Sequence, residues 1–337
     1  MRTLVTGGAG FIGSHLVELL AGEGHEVVVL DDLSTGSQSN LEAALESRAV
    51  QLRRGSILDD ELVDECMASA DCCFHLASAV GVQLILERPL ESLRRNVRGT
   101  EVVADAAARH DCRILFASSS EVYGVSSQTN GSRDGALSED ALRTLGPPAT
   151  LRWAYATAKS FGESLLHAHS REGDLELVIA RLFNTVGPRQ VGAYGMVLPR
   201  FAGQAISGEP LTVFGDGTQS RCFTHVTDTT AALAALARSD AAVGGTFNVG
   251  SDREVRIVDL AKQVIERAES ASAIELVPYE RAYGPDFEEL GRRKPELSAI
   301  RECIGWSPRR TLAEMIDDAI AYQREDPAAR DAALFSI

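Results

Sequence analysis

Arg2-Thr3-Leu4-Val5-Thr6-Gly7-Gly8-Ala9-Gly10-Phe11-Ile12-Gly13 decides the fold of this 337-residue chain. Residues 2 to 6 have the composition of a short buried strand, and the stretch after Gly13 keeps apolar residues on one helical face to about Leu20. Between them, Gly7, Gly10 and Gly13 let the backbone turn tightly and approach a pyrophosphate, whose charge then meets the free N–H groups of the helix N-terminus. The Gly-x-x-Gly-x-x-Gly spacing departs by one position from the common dinucleotide fingerprint. A second strand, residues 26 to 30 (Glu-Val-Val-Val-Leu), ends at Asp31 and Asp32, 18 residues after Gly13. A carboxylate there accepts hydrogen bonds from both ribose hydroxyls and repels a 2′-phosphate, so the expected dinucleotide is NAD rather than NADP.

Strand-like runs recur at 50 to 53, 72 to 77, 113 to 117 and 176 to 182, separated by helical segments of suitable length. That alternation predicts an α/β fold with a doubly wound, Rossmann-type parallel sheet covered by helices on both faces. Ligands of such sheets sit beyond the C-terminal strand ends. Residues at those ends are Ser56 and Ile57, then Leu76, Ala77 and Ser78, then Ser118, Ser119, Ser120 and Glu121. Past about residue 185 the pattern turns irregular, with Gly or Pro at 187, 188, 192, 195, 199, 208 and 210. The expected organisation is a dinucleotide domain over 1–185, with segments near 220–250 returning to it, and a smaller interleaved substrate domain over 186–337. Helices are expected at 228–238, 255–270 and 311–323, the last opened by a Thr311 cap with Glu314 three residues on. The Ser-, Gly-, Asp- and Pro-rich stretch 125–150 reads equally as a flap over a site and as a surface loop.

With 45% hydrophobic and 24% charged residues, the chain reads as an ordinary water-soluble globule. Its net charge of −15 argues against a nucleic-acid or anionic-membrane surface, since both need clustered positive charge. Any anionic ligand must be held by a few local arginines and by helix ends. The six cysteines (66, 72, 73, 112, 222, 303) lack metal-type spacing and read as buried thiols. His167 and His169 lie two apart on an expected helix and face different directions, so no metal site is expected. The N-terminus enters a strand directly, and no apolar run of membrane-spanning length follows, which points to a cytoplasmic protein.

Lysine is scarce: Lys159, Lys262 and Lys294 are the only ones among 33 basic residues. One of them stands four residues after Tyr155, in Trp153-Ala-Tyr-Ala-Thr-Ala-Lys159. Side chains at that spacing share one helix face. A phenol is a poor base at neutral pH, and a neighbouring ammonium favours the phenolate and draws it toward acid/base duty. Alone, Tyr-x-x-x-Lys also arises by chance on helices; the rest of the chain gives it weight.

Taken together, Thr6-Gly-Gly-Ala-Gly-Phe-Ile-Gly13, His75-Leu-Ala-Ser78, Asn96-Val-Arg-Gly-Thr100, Ser119-Ser-Glu-Val-Tyr-Gly124, Tyr155-x-x-x-Lys159, Arg181-Leu-Phe-Asn-Thr-Val-Gly-Pro-Arg189, Leu211-Thr-Val-Phe-Gly-Asp-Gly217 and Ser220-Arg-Cys-Phe-Thr-His225 resemble the extended short-chain dehydrogenase/reductase family. The likeness is to its enzymes that remodel nucleotide-activated sugars, and it covers nearly the whole chain. It implies that Ser119, Tyr155 and Lys159 form the triad that oxidises a sugar C4 hydroxyl, with NAD held tightly. Implied cofactor contacts are Gly7, Gly10, Phe11, Ile12, Gly13, Asp31, Asp32, Ser34, Thr35, Ser56, Ile57, Leu76, Ala77, Ser78, Asn96 and Val186, besides Tyr155 and Lys159. For the substrate, Asn184 and Arg221 resemble diphosphate contacts, and Arg293 another diphosphate or ribose ligand. Thr212, Val213 and Phe214 resemble the loop lining the nucleobase, and Arg189 matches a further substrate position. Ser56 departs from the pattern, since many relatives carry an aspartate facing the adenine. Helices near 90–109 and 155–171 resemble the pair that forms a dimer interface in the family.

After C4 oxidation three fates compete: loss of CO2 from a C6 carboxylate, elimination of water from a C6 hydroxymethyl, or reduction from the other face. Dehydratases of the family show aspartate then glutamate before Val-Tyr-Gly; Ser120 replaces that acid here, which disfavours dehydration. Epimerases usually carry a small residue where this chain has Glu121, whereas Ser119-Ser120-Glu121-Val-Tyr-Gly resembles the UDP-glucuronic acid decarboxylases. Val191 stands where UDP-uronate epimerases often place a second arginine. The expected activity is therefore NAD-dependent decarboxylation of a UDP-uronate, with Ser120 and Glu121 assisting at C5/C6. UDP-uronate 4-epimerisation is the alternative, and a non-catalytic NAD sensor stands further off. Glu121 as a structural ligand of a backbone amide or of Arg189 is the plain alternative for that residue. UDP against dTDP, and release of the keto pentose against its reduction, stay open at this level.

Overall fold

The computed structural model describes residues 1–79, 88–125, 135–151, 153–173, 175–192, 196–279, 281 and 292–326. Its main elements are Arg2–Thr6 (β1), Phe11–Gly22 (α1), Glu26–Asp31 (β2), Val50–Arg54 (β3), Asp60–Met67 (α2), Cys72–His75 (β4), Pro89–Arg109 (α3), Arg113–Ser119 (β5), Trp153–Gly173 (α4), Leu177–Leu182 (β6), Val197–Ser207 (α5), Val226–Arg238 (α6), Thr246–Val249 (β7), Ile257–Arg267 (α7) and Leu312–Glu325 (α8). Residues 126–134 of the expected flap and 327–337 of the expected second domain lie outside the described residues.

Seven strands form one sheet in the order β3-β2-β1-β4-β5-β6-β7, every neighbour parallel. Both faces are buried, which is why these strands are nearly continuous apolar runs rather than alternating ones. Adjacent residues feed opposite cores: Val5, Cys72 and Leu115 join α1 and α6 on one face, while Leu4, Cys73 and Ile114 join α2, α3 and α4 on the other. The order in which strands are added reverses between β1 and β4, and that switch point opens a crevice at the C-terminal strand ends. The strand expected over 72–77 stops at His75. Beyond it the Ala77 N–H turns to the Thr6 hydroxyl at 3.3 Å, so the chain peels away over the glycine loop.

After β6 the chain leaves the sheet, comes back for α6 and β7, then leaves again. Outside the sheet, Val186, Phe201, Leu211, Val213, Leu260, Met315 and Ile316 form a third core between α5, α7 and α8. Strand Leu211–Phe214 pairs with Ile274–Val277 in parallel. Strand Ser220–Cys222 lies between Glu254–Arg256 and Arg292–Arg293. At α8 the Thr311 hydroxyl accepts the Glu314 N–H while the Glu314 carboxylate accepts the Thr311 N–H at 2.7 Å, the reciprocal cap anticipated from sequence. Among the described residues no helix is long and apolar enough to cross a membrane.

Candidate active site

The crevice contains a cavity of about 540 Å³ that runs from the glycine turn to the start of the second layer. Two glycines make its floor. Gly7 has φ +72°, and a Cβ there would lie 2.7 Å from the Ala77 nitrogen; at Gly13 a Cβ would lie 2.2 Å from the Gly7 carbonyl oxygen. Larger residues would force the loop apart and fill the space a pyrophosphate needs. Gly7, Gly10, Phe11, Ile12 and Gly13 line one wall, with Leu76, Ala77 and Ser78 beside them, and Asp31, Asp32, Ser34, Thr35, Ser56 and Ile57 line the far end.

The two acids at that end differ. Asp31 is buried, its Oδ2 accepting the Ala9 N–H at 2.9 Å and its Oδ1 the Leu33 N–H at 2.8 Å. Burial pushes the Asp31 carboxyl up, and the two amides work against that rise. Asp32 accepts the Ser34 N–H at 2.9 Å and lies 3.3 Å from Arg95, a cavity residue that the sequence reading missed. Asn96 does not reach the cavity. It acts one layer back, accepting from the Ser78 hydroxyl at 2.9 Å and the Ala79 N–H at 2.8 Å.

On α4, Tyr155 and Lys159 stand one turn apart, and both face the cavity beneath the end of β5. The Lys159 ammonium donates to the Ala117 carbonyl at 2.8 Å and sits 4.6 Å above the Phe116 ring. Burial brings Lys159 down to about 7, with the Glu163 carboxylate opposing the fall. The Tyr155 hydroxyl hydrogen-bonds with Ser78 and Ser119. Its phenol is pushed up, chiefly by burial and next by the Glu121 charge. Burial thus outweighs the lowering expected from Lys159, whose ammonium lies 6.0 Å from the Tyr155 ring centre and is engaged with Ala117. Ser119 closes β5 and caps the short turn Ser120–Tyr123, its hydroxyl accepting the Glu121 N–H at 3.2 Å. Ser120 is buried against the cavity wall.

Glu121 meets Arg293 through both carboxylate oxygens, one of these bonds at 2.9 Å. Arg293 in turn stands in register with Arg221 on the neighbouring strand, and both line the cavity. The 172 residues separating Glu121 from Arg293 kept this pair out of any spacing argument. Glu121 is thus not the ligand of Arg189. Arg189 lines the cavity, but its guanidinium turns to α1, 3.2 Å from the Ser14 hydroxyl and 2.5 Å from Glu18. Asn184 also lines the cavity, its amide donating to the Cys222 carbonyl at 3.0 Å.

A smaller cavity of about 190 Å³ adjoins the first and shares Asn184 and Arg221 with it. Val186 and Phe214 line this second space rather than the first, together with Arg200, whose guanidinium lies 4.1 Å over the Phe214 ring. Of the expected base-lining loop, Phe214 lines this second cavity. The Thr212 N–H and hydroxyl are taken by the Gln204 amide at 3.1 and 3.0 Å, and Val213 is in the third core.

A doubly wound sheet with a glycine turn, an acid after β2 and a Ser-Tyr-Lys cluster at the strand ends defines the class of dinucleotide-dependent enzymes. The sequence pattern of the NAD dependent epimerase/dehydratase family matches residues 3–250, and the chain belongs to that family. It is 36% identical over 326 residues to the UDP-N-acetyl-alpha-D-glucosaminuronate decarboxylase of Bacillus cytotoxicus, covering 96% of this chain and 98% of that protein. It is likewise 36% identical over 318 residues to UDP-glucuronic acid decarboxylase 6 of Arabidopsis thaliana, covering 93% of this chain and 86% of that protein. Among solved structures, UDP-glucuronic acid 4-epimerase from Bacillus cereus, in complex with UDP-glucuronic acid and NAD, superposes with a TM-score of 0.85 at 26% identity, over 96% of this chain and 99% of that one.

Proposed function

We propose that the protein is an NAD-dependent decarboxylase of UDP-uronates, UDP-glucuronic acid first among them. The observation that carries this reading is the Glu121–Arg293 pair standing beside Ser119, Ser120 and Tyr155 in one cavity. A C6 carboxylate needs a cation to enter the site, and Arg293 supplies it; too strong a hold would stabilise the carboxylate and hinder its departure. Glu121, bound to the same guanidinium, loosens that hold. Arg189 turns to Glu18, and Val191 stands where UDP-uronate epimerases often place a second arginine, so neither position adds a hold on the carboxylate.

In this reading the glycine turn with Asp31 and Asp32 would hold one end of the dinucleotide, and Tyr155 and Lys159 the other. Bound NAD would supply the acceptor for the C4 hydride, and its positive charge would oppose the burial and the Glu121 charge that push the Tyr155 phenol up. Tyr155 takes the O4 proton, Ser119 holds O4, and Lys159 fixes the ribose beside them. With a ketone at C4, the uronate is a β-keto acid. The C5–C6 bond breaks, CO2 leaves, and the electron pair moves to O4, where the Tyr155 and Ser119 hydroxyls donate to the enolate. A proton returned to C5 completes the keto pentose. Ser120 and Glu121 flank this end, Asn184 and Arg221 receive the diphosphate, and Phe214 with Arg200 receives the base.

Incubation of the protein with UDP-glucuronic acid and NAD, followed by mass spectrometry, tests the reading. A product lighter by one CO2 supports it, and a further loss of two hydrogens distinguishes released keto pentose from UDP-xylose. An unchanged mass with inverted C4 supports the 4-epimerase alternative. The high mutual coverage with the Bacillus cytotoxicus decarboxylase favours a second substrate reading, a 2-acetamido uronate, and the same assay with that sugar decides between them.

A homodimer through α3 and α4 is part of the proposal, supported by the exposed Leu90 and Phe161 on those helices. So are a cytoplasmic location, supported by five buried free thiols, and a division near residue 185 with 220–250 returning, supported by the separate third core.

A further inference from the structure

Helix α4 grips the end of β5 at two consecutive residues, just ahead of Ser119. The Ala117 carbonyl accepts from the Lys159 ammonium at 2.8 Å, and the Ser118 hydroxyl donates to the Glu163 carboxylate at 2.6 Å. Lys159 and Glu163 are one helical turn apart, a spacing that puts side chains on one face, and only 4% and 1% of their surfaces are exposed. From β6, Arg181 donates to both oxygens of Glu163 at 2.9 Å and turns its remaining nitrogen to the Tyr123 hydroxyl and the Glu139 carbonyl. Arg143, in the loop before α4, donates to the same carboxylate while keeping 31% of its side chain exposed. On α4 itself, Tyr155 precedes Lys159 by one turn and His167 follows Glu163 by one. β4 contributes His75, stacked on the Phe116 ring over which Lys159 lies and held neutral by burial. α3 meets this turn with the uncharged Thr100, packed close to Gly162. Glu121 acts on the far side, on the Tyr155 phenol. Against the burial that discharges Lys159, Glu163 supplies the opposing negative charge, and its bonds to Ser118 and Arg181 fix where that charge stands.

Building on the reading of Lys159 as a partner of Ser119 and Tyr155, we propose that Glu163 is a positioning residue acting through Lys159, its buried carboxylate keeping that amine in the ammonium form. The charge matters to the chemistry because an ammonium, unlike a neutral amine, favours a phenolate beside it when the O4 proton is exchanged. Glu163 is more than a brace for two arginines: its charge is felt at the strand end where the reaction takes place.

With three lysines in the chain, the test reads Lys159 directly. Full-length protein carrying carbon-13 and nitrogen-15 in its lysines is titrated by NMR, Lys159 being the signal that Lys159→Met removes. In Glu163→Gln, which keeps an acceptor for the Ser118 hydroxyl, the Lys159 midpoint falls by about one pH unit or more while Lys262 and Lys294 hold theirs. Where that variant fails to fold, Glu163→Gln combined with Arg143→Met keeps the net charge of the cluster and shows the same fall. A Lys159 midpoint that stays or rises overturns the proposal. In decarboxylation of UDP-glucuronic acid, the decline of kcat with rising pH starts correspondingly lower in the variant, and an unmoved profile also counts against Glu163. A natural protein that releases no CO2, but whose Lys159 midpoint still drops on loss of Glu163, contradicts the proposed activity and leaves this assignment standing.

Discussion

Tyr155 and Lys159 were legible in the sequence because their four-residue spacing is local and lysine is rare in this chain. Their electrostatics were not legible. Burial raises the phenol and brings the ammonium down to about 7, and no spacing rule anticipates how deep a pair is buried. The account makes Tyr155 the group that exchanges the O4 proton, so Tyr155→Phe is expected to lower kcat by about 10²- to 10⁴-fold. The same variant should keep NAD affinity within a few-fold, checked by titration alongside steady-state kinetics. Glu121 and Arg293 show the opposite limit. Each was singled out, Arg293 for the diphosphate, yet the fold joins them to each other. Releasing Arg293 in Glu121→Gln tightens the hold on the uronate carboxylate before it leaves, so KM and kcat should both fall, kcat by about tenfold, as when ground-state destabilisation is removed. Kinetics with kcat unchanged would place Glu121 outside the decarboxylation step.

At the level of single elements, strands and helices could be read because the parallel sheet demands continuous apolar runs with helical segments between them. The errors fell where side chains compete for backbone groups. β4 ends early because Thr6 takes the Ala77 N–H, and at Thr212 the Gln204 amide takes the backbone N–H. The turn between β1 and α1 tolerates no side chain at Gly13, where a Cβ would meet a backbone oxygen at 2.2 Å. Gly13→Ala is expected to cost about 3 kcal/mol of stability and to abolish NAD binding, as read by chemical denaturation and titration. The β4 end also buries His75, whose Nδ1 lies 2.8 Å from the Thr6 hydroxyl and Nε2 3.2 Å from that of Thr100. Burial, with Lys159 adding to it, drops His75 from 6.5 to about 3. Between those values the unfolded chain binds a proton that the folded one refuses. Stability should therefore fall as pH drops through the window, by up to roughly 5 kcal/mol at its foot from this residue. His75→Phe is expected to be less stable at neutral pH yet to lose less between pH 6.5 and 4, measured by denaturation at stepped pH.

Over the whole molecule, the doubly wound class and the placing of chemistry at strand ends followed from the alternation of elements alone. Which long-range pieces complete the site did not. Arg95, which reaches it from α3, was missed, while Arg221 and Arg293, on a small sheet beyond residue 185, were named through the family resemblance and not through spacing, because tertiary packing brings them in. With a net charge of −15, positive charge for an anionic ligand is local, and arginines and the glycine turn line the two adjoining cavities. All of these parts converge on the claim that a uronate carboxylate leaves as CO2 once C4 is a ketone. The most direct measurement follows the fate of C6, using UDP-glucuronic acid carrying carbon-13 at that position. Label appearing as CO2 at the rate of product formation, with none retained in the UDP-sugar, is the predicted result. Label retained in a sugar of inverted C4 configuration would contradict the account.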